Sequence, residues 1–554
     1  MDAPEDETGG GLTRRQLLKY LGVAGAAAAI GRPGAAWATS GGGNRSRLVG
    51  RAASTPAARL VARAASTPAA GSDLGAIDHI VFLMMENRSY DHYFGRYPRG
   101  RGFDDHPAGS LGAFAQNYPG GTDLDPPNVL LPFHLDSTAG EECTYDLTHE
   151  WGPQHLCWNG GKMDSFVSVH TSSTYEGAKG AMTMGYYERA DLPFYYALAD
   201  NFTLCDAYHC SILGPTHPNR LMANSGTIDP AGTNGGPVTD TNQTPDVLWN
   251  CTWTTMQEVL EDSGIPWKVY SPSNLGLSGK YAPLVEYPTW DPLLYNPTAN
   301  PEVMFVTDHV LPYFTAFRNP LSSLYTNAFT PTFPNDFVAD VGAGSLPSVS
   351  WIIPPLGFDE HPASSPDNGM YFTSLVLDAL TSNPDVWAKT ALFLMYDEND
   401  GWFDHVAPPT APPGTPGEYL TASPPVLGDP DPGTLGITGP LGLGVRVPML
   451  VISPFSRGGH IASEVFDHTS QLQLVGERFG VEVPNVSAWR RQTVGDLTST
   501  LFRSPTATSV PKLPVPPLAP QQLDGSCSAV VQDTEEGGAA PNVPTNQRMP
   551  TQAG

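Results

Sequence analysis

The chain has 554 residues, of which 40% are hydrophobic and 10% aromatic, a composition typical of globular rather than disordered proteins. Its 56 Asp and Glu against 29 Lys and Arg give a net charge of −27, which excludes nucleic acid and disfavours anionic membrane surfaces as partners. Zwitterionic lipids and small phosphate esters stay open as substrates, because a bound metal reverses the field inside a pocket.

The N-terminus resembles a twin-arginine export signal. Arg14 and Arg15 lie in the run TRRQLLK, which has Leu17 where Phe is more usual, and an Ala/Gly-rich stretch follows. Residues 36–38, Ala-Trp-Ala, fit a cleavage site. A membrane anchor is the alternative, but the stretch is short and Gly-rich. We therefore predict that residues 1–38 engage the export machinery. The mature protein is then secreted or otherwise extracytoplasmic, either released or associated with the cell wall.

Two low-complexity segments flank the body of the chain. Residues 39–72 are rich in Gly, Ser, Ala and Pro and contain RAASTPAA twice, which indicates a linker rather than a structural repeat. Residues 504–554 are first Pro-rich and then polar, which predicts a disordered tail. One folded catalytic domain is therefore expected over residues 73–503.

All six cysteines follow the export signal, at positions 143, 157, 205, 210, 251 and 527. In an oxidising compartment they allow up to three disulfides, whose connectivity the spacing does not determine. Buried free thiols are the alternative for Cys205 and Cys210. A disulfide at Cys527 would pin the tail.

Short apolar runs alternate with helical patterns along the body. The runs predict strands at Ile80–Met85, Phe202–Tyr208, Trp267–Tyr270, Ser348–Ile353, Ala391–Tyr396 and Val447–Ile452. Helices are predicted at Thr254–Asp262, Tyr371–Thr381 and Thr469–Phe479. The alternation predicts an α/β fold with a doubly wound, mostly parallel sheet and helices on both faces. Residues 271–346 fit neither period and predict a large irregular insertion over the carboxyl edge of the sheet.

The first predicted strand ends abruptly at Glu86 and Asn87. Ligands bind at the carboxyl ends of strands in open α/β sheets, so this pair could hold a hard cation. The alternative is a helix N-cap, at Asn87 or Ser89, for a helix that starts near Tyr90. Both interpretations stay open on this stretch alone.

Polar side chains also follow three later strands. The segments after them read HCSILGPTHPNR, PPLGFDEHP and DENDGWFDH. Carboxylates, a hydroxyl and histidines recur in these segments, and the carboxyl ends of parallel strands meet at one edge of a sheet. The sequence therefore predicts an active site at that edge.

Several long motifs resemble, in order, those of the bacterial phosphoesterase family. They read ENRSYDHYFG, DLTHEWGPQHLCWNGGKMDSF, MGYYERADLPFYYALADNFTLCDAYHCSILGPTHPNR, YDENDGWFDHVAPP and EVFDHTSQLQLVGERFG. The family contains secreted phospholipases C and acid phosphatases on an alkaline-phosphatase-like α/β fold. The resemblance covers residues 77–503 and is closest to the shorter, non-haemolytic type of phospholipase C.

The resemblance implies one divalent metal ion. Its ligands would be Glu86, Asn87, Thr216, Asp397 and Glu398. Oxygen ligands favour Ca²⁺, Mg²⁺ or Mn²⁺, with Zn²⁺ or Fe as alternatives. Thr216 is then the nucleophile, because coordination lowers the pKa of its hydroxyl.

The resemblance also implies histidines that bind the phosphoryl group. The matching positions are His149, His309 and His361, and one of them could protonate the departing alcohol. Candidates for the surrounding shell are His217, Asp404, His405, Asp467 and His468. An Asp-His pair can either form a supporting hydrogen bond there or take part in catalysis, and both interpretations stay open.

Two positions depart from the family pattern. His217 stands after the nucleophile where many of these phospholipases have Asp, as in the acid-phosphatase branch, and Asn399-Asp400 replaces a Gly-Gly-like turn. A charged His217 would suit phosphomonoesters. The alternative is that it only caps the following turn.

The expected activity is therefore that of an exported phospholipase C. Thr216 would attack the glycerol-side phosphodiester of a phospholipid such as phosphatidylcholine, releasing diacylglycerol and then, from a phosphothreonine intermediate, a phosphorylated head group. Transient contact with a membrane surface is expected. The alternatives are a secreted acid phosphatase acting on phosphomonoesters and a non-catalytic binding protein with the same fold.

Overall fold

A computed structural model of the chain describes residues 73–144, 146–172, 180–241, 249–272, 277–286, 308–355, 357–362, 364–422, 436–502, 507–516 and 541–553. All of them belong to one unit, Leu60–Gly554. The predicted export signal and linker, residues 1–72, lie outside the described residues, as does Cys527.

The secondary structure consists of short strands and mostly short helices. The strands are β1 (His79–Met85), β2 (Gln116–Asn117), β3 (Val129–Leu130), β4 (Phe133–His134), β5 (Gly185–Tyr186), β6 (Thr203–Cys205), β7 (Trp267–Pro272), β8 (Thr332–Phe333), β9 (Val349–Ile352), β10 (Thr390–Tyr396), β11 (Met449–Ile452) and β12 (His460–Ala462). The α-helices are α1 (Tyr90–Phe94), α2 (Trp151–Trp158), α3 (Phe166–His170), α4 (Pro193–Asn201), α5 (Thr216–Ser225), α6 (Met256–Asp262), α7 (Ser323–Phe329), α8 (Asn335–Ala343), α9 (Pro366–Thr381), α10 (Pro384–Trp387), α11 (His468–Phe479) and α12 (Ala488–Thr493).

The main sheet has eight strands in the order β12-β6-β11-β10-β1-β9-β7-β8. At its centre β1 pairs in parallel with β10, from His79 opposite Thr390 to Met85 opposite Tyr396, and with β9 on its other side. Among the described strands of this sheet, only β11 runs antiparallel to its neighbours. The predicted mostly parallel sheet is confirmed, and all six predicted strands are present, although the one predicted at Phe202–Tyr208 covers only Thr203–Cys205.

Helices cover both faces of the sheet. Adjacent residues of β10 point to opposite faces. Met395 Sδ contacts Gln471 of α11, whereas the Tyr396 side chain reaches Glu360, which also bonds to Tyr195 of α4. The two α-helices α5 and α11 pack against each other on the Met395 face. The predicted helices on both faces are thus confirmed. None of the helices in the described ranges is both long and apolar enough to cross a lipid bilayer.

The insertion is less irregular than its composition suggested. Among its described parts, residues 308–346 contain α7, α8 and the short strand β8, which extends the sheet by pairing in parallel with β7. Two-residue strands are too short to produce an alternating pattern in the sequence. The insertion therefore contributes an edge strand as well as loops.

The C-terminal tail is partly ordered, in contrast to the prediction. Within residues 541–553, Gln547 is buried and bonds through its side chain to the backbone of Val129 and Leu131, and Gln552 bonds to the backbone of Tyr97. Side-chain amides that pair with free backbone groups need no apolar periodicity, which explains why the composition did not reveal this contact.

The cysteines form fewer disulfides than the maximum of three allowed by their number. Cys143 is disulfide-bonded, whereas four others, Cys157, Cys205, Cys210 and Cys251, are free and buried. The alternative of buried free thiols for Cys205 and Cys210 is therefore confirmed. Cys205 lies in β6, where it packs as a small apolar residue.

Candidate active site

Glu86 and Asn87 lie at the carboxyl end of the central strand β1. Glu86 N–H donates to Asp359 O at 2.7 Å, which draws the loop after β9 to this edge. Asn87 adopts a left-handed conformation with φ of 63°, a conformation that asparagine tolerates better than most residues. Ser89, not Asn87, caps α1, since its hydroxyl accepts from His92 N–H at 3.2 Å. The side chain of Asn87 is thus not used as a helix cap.

Three carboxylates follow the neighbouring strand β10. Asp397 Oδ1 accepts from the backbone N–H of Asn87 at 3.2 Å and of Glu398 at 2.7 Å. Asp400 has a φ of 57°, a left-handed conformation that glycine adopts most easily, which explains why a glycine-like turn suits this position. Its side-chain Oδ1 accepts a hydrogen bond from Asn87 Nδ2 at 3.2 Å. The parallel register of β1 and β10 therefore brings these carboxylates next to Glu86 and Asn87.

Thr216 is the first residue of α5. The N-cap is Pro215, which makes no side-chain cap hydrogen bond, so the N-terminus of this ten-residue helix lacks the usual side-chain acceptor. A helix N-terminus favours anions, because its backbone N–H groups and dipole present positive charge. Thr216 is buried, with 4% of its surface exposed. The positive charge at this helix N-terminus would therefore stabilise a phosphoryl group bound at Thr216.

Arg220 joins α5 to the carboxylates, and the sequence interpretation missed it. Its Nε donates to Asp397 Oδ2 at 3.0 Å, and its Nη2 lies 3.2 Å from Asp308 Oδ2 and 3.6 Å from Glu86 Oε1. Its position, one helical turn after Thr216 on the same face, is the signal that could have identified it. This contact brings the Thr216 helix to the ends of β1 and β10.

Burial and mutual repulsion perturb the carboxylates of this cluster. Burial, followed by the charge of Asp308, raises the pKa of Glu86 well above its ordinary value. Burial also raises the pKa of Asp308, but Arg220 reverses this effect and holds the Asp308 pKa below its usual range. Burial raises the pKa of Glu398 as well. Such a cluster retains its negative charge more readily when a cation is bound.

Two predicted histidines lie together at the margin of the cluster. The His149 ring is 3.0 Å from Asp400 Oδ1 and 3.7 Å from Glu398 Oε1, and its centroid is 6.4 Å from that of His361. Burial lowers the pKa of His149, but Glu398 and Asp400 outweigh it and leave this pKa well above its ordinary value. Both side chains are 13% exposed, so each ring reaches the solvent side of the cluster.

His309 differs from the other two histidines. Its Nε2 donates to Ala328 O at 2.9 Å and its ring packs on Phe329, while burial lowers its pKa to about 4. The neighbouring Asp308 reaches Arg220 and Glu86 instead. The role of His309 as a phosphoryl ligand stays a prediction.

His217 makes a contact that its sequence position did not indicate. Its Nδ1 accepts from the Tyr313 hydroxyl at 2.6 Å, and burial lowers its pKa to about 4. The ring is therefore neutral at neutral pH and adds no positive charge beside Thr216. The argument that His217 favours phosphomonoesters loses its physical basis.

The two predicted Asp-His pairs have different surroundings. His468 Nε2 donates to Asp397 O at 2.6 Å, and Asp467 caps α11 and contacts Arg490. His468 thus supports the backbone of a residue in the cluster. Asp404 and His405 belong instead to a separate buried network, in which both are held by Asp91 and Arg446.

The cluster fits a hard cation. Asn87 Oδ1 and Glu398 Oε1 are buried and accept no hydrogen bond within the described part of the chain. Buried oxygens are rarely left without partners, and oxygen donors of this kind are the preferred ligands of Ca²⁺ and Mg²⁺. Two further sets of side chains close enough to share an ion adjoin these oxygens, Glu86-Asp308-Asp359 and Asp146-His149-Asp400.

Glu360, next to His361, is buried in a cage of tyrosines that the sequence did not reveal. Tyr93 and Tyr195 donate to its carboxylate, and so does Tyr396 at 3.0 Å. Burial raises the pKa of Glu360 to about 7, although Arg88 and the tyrosine hydroxyls act to lower it. The cage holds the loop that carries Asp359 and His361.

We expect Glu360 to make folding stability depend on pH. Its folded pKa of about 7 exceeds its ordinary value of 4.5, so its contribution is complete below pH 4.5 and is lost as the pH rises through 7. The loss is about 3 kcal/mol in the free energy of unfolding, at about 1.4 kcal/mol per pKa unit. Glu360→Gln should remove this part of the slope in urea unfolding measured across that range, and an unchanged slope would contradict the assignment.

Known proteins resemble this chain along most of its length. Residues 77–482 match the model of the Phosphoesterase family. Phospholipase C A of Mycobacterium tuberculosis is 45% identical over 489 residues, which cover 86% of this chain and 88% of that protein. The non-hemolytic phospholipase C of Burkholderia pseudomallei is 42% identical over 457 residues, which cover 79% of this chain and 61% of that protein. The non-hemolytic phospholipase C of Pseudomonas aeruginosa is 41% identical over 455 residues, which cover 80% of this chain and 60% of that protein.

Proposed function

This chain belongs to the phosphoesterase family, and we propose that it is a phospholipase C that cleaves the glycerol-side phosphodiester of phospholipids such as phosphatidylcholine. It is a hydrolase of phosphoric ester bonds. The observation that carries the proposal is the meeting of the Thr216 helix with the buried carboxylates, through the contact of Arg220 with Asp397 at 3.0 Å. The relatives named above are phospholipases C at 41–45% identity.

The charges around Thr216 favour a diester over a monoester. Carboxylates gather around Arg220, one turn into α5, and next to its partners, namely Glu86, Asp308, Asp359, Asp397, Glu398 and Asp400. Arg220 and His149 contact these carboxylates, Arg88 acts on Asp400, and neutral His217 adds no charge. A phosphodiester carries one negative charge and a phosphomonoester nearly two, so this surplus of carboxylates opposes the monoester more strongly. A zwitterionic head group also places its cation near the carboxylates.

In the proposed reaction, the Thr216 hydroxyl oxygen attacks phosphorus as the bond to the glycerol oxygen breaks. The N-terminus of α5 orients the phosphoryl group, and the rings of His149 and His361 donate to its oxygens. One of these two rings gives a proton to the departing diacylglycerol oxygen and later takes one from the water that cleaves the phosphothreonine. The phosphorylated head group then leaves, and Thr216 takes back from solvent the proton that its hydroxyl released to solvent on attack, which restores the hydroxyl.

A divalent ion completes the proposed site. Asn87, Glu398, Glu86 and Asp397 would hold it near Thr216, and Ca²⁺, Mg²⁺ or Mn²⁺ suits their oxygen atoms best. When bound, it lowers the pKa of the hydroxyl and screens charge on the phosphoryl group. Export through the twin-arginine signal at residues 1–38 is part of the same proposal, since extracellular lipid is then accessible.

The proposed function is tested by offering the purified protein three substrates. Phosphatidylcholine, sphingomyelin and a soluble phosphomonoester are assayed side by side, with the metal content of the same sample measured. We expect release of diacylglycerol and phosphocholine from phosphatidylcholine, with a kcat/KM at least about 10²-fold above that for the monoester. Release of inorganic phosphate from the monoester without cleavage of phosphatidylcholine would instead support the acid phosphatase.

A further inference from the structure

One face of α5 is held by a single segment of the insertion, residues 308–317. His217 and Arg220 are three positions apart on this helix and therefore lie on the same side of it. Both bond to the segment, His217 to Tyr313 and Arg220 to Asp308. The 308–317 segment is thus joined at two points to the helix that begins at Thr216.

The first contact connects Asp308 with Asp397 through one guanidinium group. Arg220 Nη2 lies 3.2 Å from Asp308 Oδ2, while Nε donates to Asp397 Oδ2 at 3.0 Å. The guanidinium is planar and its donors are fixed relative to one another, so the position of one carboxylate restrains the other. Asp308 is 15% exposed at its side chain, whereas Asp397 is fully buried. Asp308 therefore restrains the buried carboxylate from the margin of the site.

The second contact holds the first turn of α5. The Tyr313 hydroxyl donates to His217 Nδ1 at 2.6 Å, and both side chains are buried. His217 directly follows Thr216, and its backbone N–H is also fixed, by Thr241 Oγ1 at 3.2 Å. The N-cap residue Pro215 supplies no side-chain acceptor, so the contacts of His217, including that with Thr241, take its place in restraining this helix end.

The 308–317 segment is itself anchored on its far side. Cys251 N–H donates to Tyr313 O at 3.0 Å, and Thr315 N–H donates to Cys251 O at 3.0 Å. Arg318 extends this attachment through its bond to Asn250 at 2.7 Å. Because the segment is fixed to the body independently of α5, it can restrain the helix rather than move with it.

We infer that Asp308 and Tyr313 are positioning residues for the reaction, because their contacts with Arg220 and His217 fix the position of the first turn of α5 relative to Asp397. The inference rests on the proposed role of Thr216 as the nucleophile at this site. A misplacement of the reacting atoms by about 1 Å costs about 10²-fold in rate. Restraint of the Thr216 turn is therefore expected to matter for kcat more than for KM.

Two conservative variants test the inference. Asp308→Asn and Tyr313→Phe should each lower kcat by about 10- to 100-fold with KM changed less than about two-fold. The metal content should stay at the wild-type level. A loss of metal in Asp308→Asn would make Asp308 a ligand rather than a positioning residue, and an unchanged kcat in both variants would overturn the inference.

Hydrogen–deuterium exchange of the amides of residues 214–221 gives a readout that does not depend on substrate. We expect faster exchange in both variants. The matched control is Tyr371→Phe, because the Tyr371 hydroxyl donates to Lys280 O at 2.5 Å and so holds another part of the insertion. That variant should match the wild type in kcat and in exchange at residues 214–221. If the wild type turned over no phosphate ester, the proposed function would fail, whereas wild-type exchange rates in both variants would reject the restraint itself.

Discussion

Replacing Thr216 with alanine is expected to lower turnover of phosphatidylcholine by at least about 10⁴-fold while the protein stays folded. The hydroxyl is the only nucleophile proposed at the start of α5, and water is a poor substitute for an oriented alkoxide. The methyl group lost with it is small, and Thr216 serves no capping role because Pro215 is the N-cap. Initial rates and the melting temperature, measured on the same preparation, check both parts of this prediction.

Ser225→Ala is the matched control, since it removes a buried hydroxyl from the other end of the same helix. Ser225 Oγ donates to Leu221 O at 2.8 Å and accepts from Trp253 Nε1 at 2.8 Å. Its loss should reduce stability by about 1 kcal/mol and leave kcat nearly unchanged. Thr216→Ser should retain part of the activity. Full activity in Thr216→Ala would exclude the residue as nucleophile.

The parts of the fold that could be predicted are those where a local pattern suffices. The strands β1 and β10 are buried along almost their whole length and end at charged residues, so apolar runs located them within one residue. The two-residue strand β8 and the contact of Gln547 with the β3 strand carry no periodic signal. Such features depend on backbone groups that happen to lie opposite each other in the folded chain.

The candidate site also contains residues that the sequence could place and residues that it could not. Glu86 and Asp397 follow two predicted strands, and the carboxyl ends of parallel strands meet at one edge of a sheet, so the sequence could place both residues at the site. Arg220 and Asp308 meet only because the insertion folds back on α5, and no local pattern reports that contact. Asp308 shows the limit most clearly: the resemblance identified its segment, but the contact of its carboxylate with Arg220 depends on the backbone conformation.

The buried carboxylates also explain why the cluster should depend on a cation for stability. Glu86 and Glu398 both have pKa values raised chiefly by burial, so each prefers to be neutral in the folded protein. Arg220 lies close to Glu86 at 3.6 Å and contacts Asp397 at 3.0 Å, but does not reach Glu398. His149 lies 3.7 Å from Glu398 Oε1 and acts to lower the Glu398 pKa, but burial outweighs it. A cation bound on this side would therefore favour the ionised form of the cluster at neutral pH.

Chelation should consequently abolish activity and lower stability, and Glu398→Gln should uncouple the two effects. In the wild type, metal at about 100 times its Kd adds about 2.7 kcal/mol to the free energy of unfolding, and chelation removes it. Glu398→Gln has one fewer buried carboxylate, so the metal-free variant should be at least as stable as the metal-free wild type. Its activity should fall at least about 10³-fold and its stability should respond little to added metal.

Glu418→Gln is the control that separates the loss of the response of stability to metal from the general effect of removing a buried carboxylate. Glu418 accepts from Arg490 Nε at 2.9 Å, in an ion pair whose members are both buried. Breaking that pair leaves Arg490 with one fewer partner, so stability should fall by about 3 kcal/mol with or without metal. Chelation should still destabilise Glu418→Gln as much as the wild type. If Glu398→Gln kept the full response of the wild type to metal, Glu398 would not be a ligand, because the differential stabilisation must come from the residues that hold the ion.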